Sequence, residues 1–170
     1  MKKKREIMKQ ISYVMVKPGF ANNKKVVEYI KAQLRACGLE IVEEAEVRYT
    51  RAYAQKHYAE HFRGSYENAK GFYRELEDYI VSDKAYGMKV VGEDAIAKIR
   101  AIVGSTMKID KETGRKILPP EGTLRRDIPE FLGQEHDMTK NVVHASDSQE
   151  AAINELAIFE ELCHGVCAYN

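Results

Sequence analysis

The segment NVVHASDS, residues 141–148, holds the residues best suited to chemistry in this sequence. Its apolar start is typical of a strand, and the strand ends at His144, before three small polar residues. A neutral imidazole has a ring nitrogen whose lone pair can attack an electrophile. A carboxylate bonded to the other ring nitrogen, directly or through a hydroxyl, would fix the tautomer and stabilise the developing charge. Glu155 and Ser146 are the candidates for these two groups, although a histidine at a strand end more often has a structural role.

Other short patterns point to weaker alternatives. The stretch HYAEH, residues 57–61, matches a short zinc signature and places two histidines on one helix face, but no third ligand is recognisable. Residues 70–73, KGFY, resemble the start of an RNA-binding strand, but residues 74–77 continue with helical spacing, which leaves only stacking of one base on Phe72. No glycine-rich phosphate loop is present. We therefore expect an exposed helix face at 57–61 and phosphates held by side chains.

Length, charge and cysteine content restrict the class of protein. A chain of 170 residues suits one domain, expected at 1–170 with a basic tail at 1–9. The net charge of +1 gives no reason to expect binding to nucleic acid or an anionic membrane. No apolar run approaches the roughly 20 residues of a membrane span, so we expect a soluble protein. Three cysteines without a framework of spacings suggest a reducing cytoplasm.

Hydrophobic periodicity predicts alternating strands and helices. The predicted strands are 11–16, 41–49, 86–91 and 142–144. Predicted helices follow a cap at Asn22 or Asn23, span 50–62 and 66–80, open at Gly92–Asp94, and follow a cap at Ser146 or Asp147. Residues 105–137 have no sustained period and are predicted to form a long loop. This order predicts an α/β (α+β) fold, the ferredoxin-like split βαβ arrangement of a four-stranded antiparallel sheet covered by helices.

The segment 141–147, with Glu155 eleven positions after His144, closely resembles the active-site signature of nucleoside diphosphate kinases. The resemblance extends over nearly the whole chain. Residues 13–18 resemble the family's first strand and its lysine, and 56–58 resemble its tyrosine-bearing helix. Residues similar to its base-stacking helix and phosphate-contacting positions are Phe72, Tyr73, Leu76, Arg100, Thr106 and 122–125.

The resemblance implies a reaction and a set of site residues. A γ-phosphate would pass from a nucleoside triphosphate to Nδ1 of His144 and then to a second diphosphate, with Mg²⁺ carried by the phosphates and not held by protein ligands. Besides ATP and other nucleoside di- and triphosphates, the implied partners are further copies of the chain in a homo-oligomer. The implied catalytic residues are His144, Glu155, Ser146 and Lys17. The implied substrate-binding residues are Lys17, Tyr58, Phe72, Leu76, Arg100, Thr106, Arg125, Met138 and Asn141.

Three departures from the family pattern keep other hypotheses open. Gly19-Phe20 follows Pro18 where the family usually has Asp-Gly, and the stretch between Tyr58 and Phe72 is several residues longer. The extended loop 107–122 is also longer, in a region that in the family often contributes to subunit contacts. A catalytically silent domain that binds nucleotides or nucleic acid is therefore the alternative, and a zinc protein is a third hypothesis.

Overall fold

Four antiparallel strands form the central sheet of the computed structural model, which describes residues 8–59 and 70–165 except for the side chains of 70–72 and 165. The strands are β1 (Lys9–Val16), β2 (Glu40–Val47), β3 (Ala85–Glu93) and β6 (Val143–Ala145), in the order β2-β3-β1-β6. A separate hairpin pairs β4 (Lys108–Ile109) with β5 (Lys116–Ile117). The order and the antiparallel pairing confirm the predicted ferredoxin-like class.

Six helices surround the sheet within the described residues. Asn23 caps α1, with its side chain accepting from the backbone N–H of Lys25 and Val26, and Thr50 caps α2 through the N–H of Tyr53. Both caps agree with the sequence. None of the described helices combines the length and apolar character that a bilayer span requires. The helices are α1 (Lys24–Ala36), α2 (Arg51–Tyr58), α3 (Lys70–Val81), α4 (Ala95–Val103), α5 (Leu124–Phe131) and α6 (Gln149–Gly165).

The alternation of side chains along β1 divides the core into two layers. Val14 and Val16 face a cluster that includes residues of α1, α4 and α5, whereas Tyr13 and Met15 face one that includes residues of α2, α3 and α6. In β6 the same alternation sends Val143 and Ala145 to the first layer. His144 is therefore directed to the layer of α2, α3 and α6.

Residues 105–137 were wrongly predicted to be a structureless loop. They contain the β4–β5 hairpin and the helix α5. Two-residue strands are too short to show a period of two, and α5 has only eight residues with Pro129 inside it. Proline cannot donate a helical hydrogen bond, so its presence argues against a helix. Burial of Leu124 and Ile128, one turn apart, outweighs that penalty.

Two predicted helix starts were also wrong. Gly92 and Glu93 belong to β3, and α4 begins only after Asp94, which has a φ of 49° and no side-chain cap. At α6 the cap is Ser148, whose hydroxyl accepts from the N–H of Ala151 at 3.0 Å. Neither predicted cap, Ser146 or Asp147, has this role, and Ser146 bonds to Glu155 instead. The predicted end of the helix at 50–62 and the predicted start of the helix at 66–80 lie outside the described residues.

Candidate active site

Strand register brings distant parts of the chain to one end of β1. Val16 pairs with Val143 and Met15 with His144. The next step along both strands places Lys17 beside the residues that precede β6, where its N–H donates to the carbonyl of Val142 at 2.9 Å. Its Nζ donates to Oδ1 of Asn141 at 2.5 Å. The register thus joins two predicted site residues separated by more than a hundred positions.

His144, Glu155 and Ser146 form a buried hydrogen-bonded chain. Nε2 of His144 lies 2.8 Å from Oε1 of Glu155, and Oγ of Ser146 donates to Oε2 at 2.5 Å. The backbone of Tyr13 holds Ser146 in place, because its N–H donates to Oγ at 3.0 Å. Glu155 is 3% exposed and His144 7%. A carboxylate so placed fixes the imidazole and can stabilise positive charge on it.

Arg125 lies on α5, beside the strand β6. Its Nε and Nη2 donate to the carbonyl of Val143 at 3.2 and 3.0 Å, and its Nη1 donates to the carbonyl of Gly104 at 3.0 Å. Three of the five guanidinium N–H donors are thereby used, two on the residue that precedes His144 and one on Gly104. Burial, together with the nearby charge of Arg100, lowers the pKa of Arg125 to about 10. Arg125 therefore remains a cation near neutral pH.

Lys17 is buried, and its ionisation differs from that of an exposed lysine. Burial lowers its pKa to about 7, and repulsion from Arg125 adds to the effect. An anion between Lys17 and Arg125 would offset both the burial of the lysine and the repulsion from the arginine. It would therefore favour the charged form of Lys17. The arrangement is therefore a pair of poorly solvated cations suited to bind phosphate.

Aromatic rings enclose the imidazole of His144. The ring centroids of His57 and Tyr58 lie 4.7 and 6.5 Å from that of His144, both in edge-on arrangements. Burial raises the pKa of the Tyr58 hydroxyl well above its usual value. The nearby Glu155 adds to the rise, and Arg125 opposes it. Tyr58 is thus a neutral hydroxyl close to the candidate phosphate site. His57 is 3% exposed, so the exposed helix face expected at 57–61 was wrong at this residue. His61, the second histidine of the short zinc signature, lies outside the described residues.

The remaining predicted residues are less closely associated with His144. Leu76 is buried in the core layer of α3, and Met138 is exposed, although its carbonyl accepts from Nδ2 of Asn141 at 3.1 Å. Thr106 is half-buried beyond the end of α4, and Arg100 is exposed on α4. The side chain of Phe72 lies outside the described part of the chain. Base stacking by Phe72 therefore stays a prediction.

The unusual Gly19-Phe20 forms an ordered turn after Lys17. Gly19 has a φ of 85°, and the N–H of Phe20 donates to the carbonyl of Lys17 at 3.1 Å. Proline followed by a glycine with positive φ is the sequence of a type II turn. The turn bends the chain immediately after Lys17, at the end of β1.

Tyr79 is a site residue that the sequence reasoning missed. Its hydroxyl donates to the carbonyl of Pro18 at 2.6 Å and lies 3.4 Å from that of Asn141. It therefore ties the turn after Lys17 to the segment before β6. Helical spacing could have revealed it, because Tyr79 lies seven positions after Phe72 and three after Leu76.

A buried imidazole paired with a carboxylate, near a buried lysine and a half-buried arginine, suits a phosphotransferase that carries a phosphoryl group on histidine. The nucleoside diphosphate kinase family matches residues 10–162. The chain therefore belongs to the nucleoside diphosphate kinase family, and its reaction is phosphoryl transfer between nucleotides.

Individual relatives agree with this assignment. The chain is 34% identical over 148 residues to the nucleoside diphosphate kinase of Bacillus licheniformis, covering 87% of this chain and 86% of that protein. It is 37% identical over 147 residues to that of Methanosarcina mazei, covering 86% and 85%. The solved structure of the Halobacterium salinarum enzyme, in complex with CDP, aligns with a TM-score of 0.67 at 27% identity, covering 89% of this chain and 88% of that one.

Proposed function

We propose that His144 is the residue that carries the phosphoryl group, in a ping-pong reaction in which one pocket is used twice. In the first half, the lone pair of Nδ1 attacks the γ-phosphorus of a nucleoside triphosphate. The bond to the bridging oxygen breaks, and the diphosphate leaves with its electrons. In the second half, a terminal oxygen of another diphosphate attacks the phosphorus and releases His144 unchanged.

The pairing of Nε2 with Glu155 is the single observation that carries this proposal. An ionised carboxylate only accepts hydrogen bonds, so Nε2 is the donor and carries the ring proton. The lone pair then belongs to Nδ1. As the phosphorus bonds to Nδ1, positive charge develops on the ring, and the buried carboxylate 2.8 Å from Nε2 stabilises it. Ser146 holds the second carboxylate oxygen and orients the pair.

Lys17, Arg125, Asn141 and Tyr58 are proposed to bind the phosphates. They supply two cations, an amide and a hydroxyl, which suit oxygens that carry negative charge. This set contains no carboxylate, so these donors do not fit a protein-held Mg²⁺, which prefers oxygen ligands that include carboxylates. Mg²⁺ bound to the phosphate oxygens would instead neutralise part of their charge. Phe72, Leu76 and Met138 are proposed for the base, and Arg100 and Thr106 for the outer phosphates.

Incubation with ATP labelled at the γ-phosphate, in the presence of Mg²⁺, tests the role of His144. The wild-type protein should form an acid-labile phosphoprotein that loses its label to added nucleoside diphosphate. His144→Ala should form none, and its nucleotide exchange should fall by a factor of about 10⁴ or more, because the covalent route is lost. His164→Ala is the matched control, since that side chain is 77% exposed near the end of α6. Exchange by His144→Ala at the wild-type rate would overturn the proposal.

We further propose a cytoplasmic homo-oligomer. The cysteine content supports the location. The family resemblance supports assembly, and the β4–β5 hairpin is a candidate contact because Ile109 and Ile117 are each 52% exposed. Light scattering after size-exclusion chromatography measures the mass directly. A monomer across the micromolar range would refute the assembly.

A further inference from the structure

Three side chains of types that can bind metal ions lie close together in the core, each from a different element. His57 on α2, His144 on β6 and Glu155 on α6 are buried, and one donor atom from each lies within 4.8 Å of the others. Two histidines and one carboxylate are a common set of protein ligands for zinc, which leaves a fourth position for water. The combination differs from the pattern of residues 57–61, because two of its three members come from other elements.

The spacing of the two imidazoles suits a shared ion. Their ring centroids lie 4.7 Å apart, with an angle of 70° between the ring planes. Two imidazoles on one tetrahedral zinc, with bonds of about 2.0 Å, have centroids about 5 Å apart. The rings are therefore already near the required separation. The donor atoms would need to approach to about 3.3 Å of one another, which is the edge of such a tetrahedron.

A groove between α2 and α6 provides a route from solvent to this cluster. Its volume is about 610 Å³, and His57 and Glu155 form part of its wall. Asp147, Glu150 and Glu161 also line it, against one lysine, Lys56. This lysine lies 3.9 Å from the carboxylate of Glu161, which offsets its charge. The excess of carboxylates favours the entry of a cation.

We propose that His57, His144 and Glu155 bind a divalent transition metal of the zinc type, which enters through the groove between α2 and α6. Mg²⁺ does not compete, because it prefers six oxygen ligands in octahedral geometry. The ring proton of His144 moves from Nε2, which faces Glu155, to Nδ1, and both Nε2 and the carboxylate of Glu155 then bind the metal. A neutral imidazole has one nitrogen lone pair, and the metal occupies it. A metal-bound His144 therefore does not attack phosphorus, and the metal inhibits phosphoryl transfer.

Geometry alone supports the metal site, whereas the inhibition also rests on the proposed function of His144. Calorimetric titration with Zn²⁺, with Mg²⁺ present in excess, measures the site without reference to activity. The wild-type protein should bind one ion, and His57→Gln should bind it at least about 100-fold more weakly, because a ligand is lost. His164→Gln is the matched control and should keep the wild-type affinity. Co²⁺ in the same site should give the visible absorption of a four-coordinate ion.

Equal affinity in the wild type and His57→Gln would overturn the site. So would a loss of binding in His61→Gln with none in His57→Gln, which would favour the short zinc signature instead. Circular dichroism checks the folding of each variant. If His57→Gln does not fold, anomalous scattering from zinc in crystals of the wild-type protein decides the matter. A peak between the three side chains supports the site, and a peak elsewhere refutes it.

Phosphorylation then separates the two proposals. Protein first phosphorylated by ATP and freed of nucleotide should bind Zn²⁺ at least about tenfold more weakly, because a phosphoryl group on Nδ1 leaves the ring proton on Nε2, which then has no lone pair for the metal. Zinc seen in the site without any effect on phosphorylation would refute the role of His144 and leave the site standing. A phosphoprotein lost in His144→Ala, in a protein that binds no zinc, would refute only the site.

Discussion

At the scale of residues, Glu155 is a buried carboxylate in direct contact with His144. Both carboxylate oxygens accept hydrogen bonds, from His144 and from Ser146, and the side chain is almost fully buried. In such surroundings an ionic interaction is much stronger than in water. The hydrogen bonds position the imidazole, and the charge favours the transition state.

Glu155→Gln separates position from charge. The amide oxygen can still accept from Nε2, and the amide N–H can donate to Ser146, so the geometry should persist. Loss of the charge should slow phosphorylation of His144 by about 10²-fold or more, with little change in nucleotide affinity. Rapid-quench measurement of the phosphoprotein checks the rate. A wild-type rate would contradict the assigned role of Glu155.

Nucleotide binding should draw a proton onto Lys17. With a pKa of about 7 in the free protein, about nine-tenths of Lys17 is neutral at pH 8. A bound phosphate favours the charged form, so the complex holds more protons, and affinity should fall as pH rises above 7. Calorimetry of MgADP binding at pH 8, in buffers of different ionisation enthalpy, should detect uptake of about 0.9 proton.

Lys17→Met provides the control for this titration. It removes the ionisable group but keeps an apolar side chain of similar length, so the uptake due to Lys17 should disappear. Arg125 stays charged at this pH because its pKa is about 10. Equal uptake by the variant and the wild type would mean that Lys17 does not contact the phosphates.

At the scale of elements, the junction between α4 and α5 positions Arg125. Gly104 ends α4 with a φ of 84°, and its carbonyl accepts from Nη1 of Arg125. A Cβ built on Gly104 would lie 2.5 Å from Oγ1 of Thr123, the residue before α5. Only glycine fits this close approach with this backbone conformation. The helix end therefore links the two helices and holds the arginine.

Gly104→Ala should destabilise the protein more than Gly114→Ala. Both positions have a positive φ, but a Cβ on Gly114 meets nothing within 4 Å. Gly114→Ala should cost about 1 kcal/mol for its backbone conformation. Gly104→Ala should cost about 1–3 kcal/mol more because of the clash with Thr123. Urea denaturation gives both values, and equal losses would contradict the packing argument.

At the scale of the whole molecule, four buried tyrosine hydroxyls lie on the side of the sheet that carries α2, α3 and α6. Tyr13 and Tyr49 share a hydrogen bond at 2.9 Å, Tyr58 lies near His144, and Tyr79 bonds to Pro18. Burial raises the pKa of all four tyrosines above the usual value. The folded state therefore holds their protons more tightly than the unfolded state.

Stability should fall steeply in alkali. A group whose pKa is raised on folding stabilises the protein below its unfolded pKa, here about 10, and loses that contribution as pH rises further. Each buried tyrosine should then remove about 1.4 kcal/mol of stability per pH unit. Thermal melts from pH 8 to 11 should show the decline. Tyrosinate absorbance that rises well before unfolding would contradict it.

The opposite sign of Lys17 provides an internal check on this pH dependence. Its pKa is lowered on folding, so its contribution improves stability as pH rises from about 7 towards its unfolded value. The Lys17→Met variant lacks this rise but keeps the alkaline decline. If the alkaline loss of stability disappeared in Lys17→Met, the loss would come from Lys17 and not from the buried tyrosines.

The sequence by itself determined the elements with strong local signals and the order of the chemical residues along the chain. These features depend on neighbours a few positions away, which a single sequence displays. They are the β-branched strand at 11–16, the helix caps Asn23 and Thr50, and the run from Asn141 to Ser146. Elements with weak local signals were not predicted. The helix α5 contains a proline, and the strands β4 and β5 have two residues each, so no period identified them.

Only the tertiary structure decided which distant groups meet. The β1–β6 register brings Lys17 to Asn141, and the packing of α6 on the sheet brings Glu155 to His144. The same packing made Ser146 a partner of Glu155 and left the helix cap to Ser148. It also placed His57 against His144, although the two are far apart along the chain. Such contacts arise from burial of whole faces, which sums many weak interactions that no short segment contains.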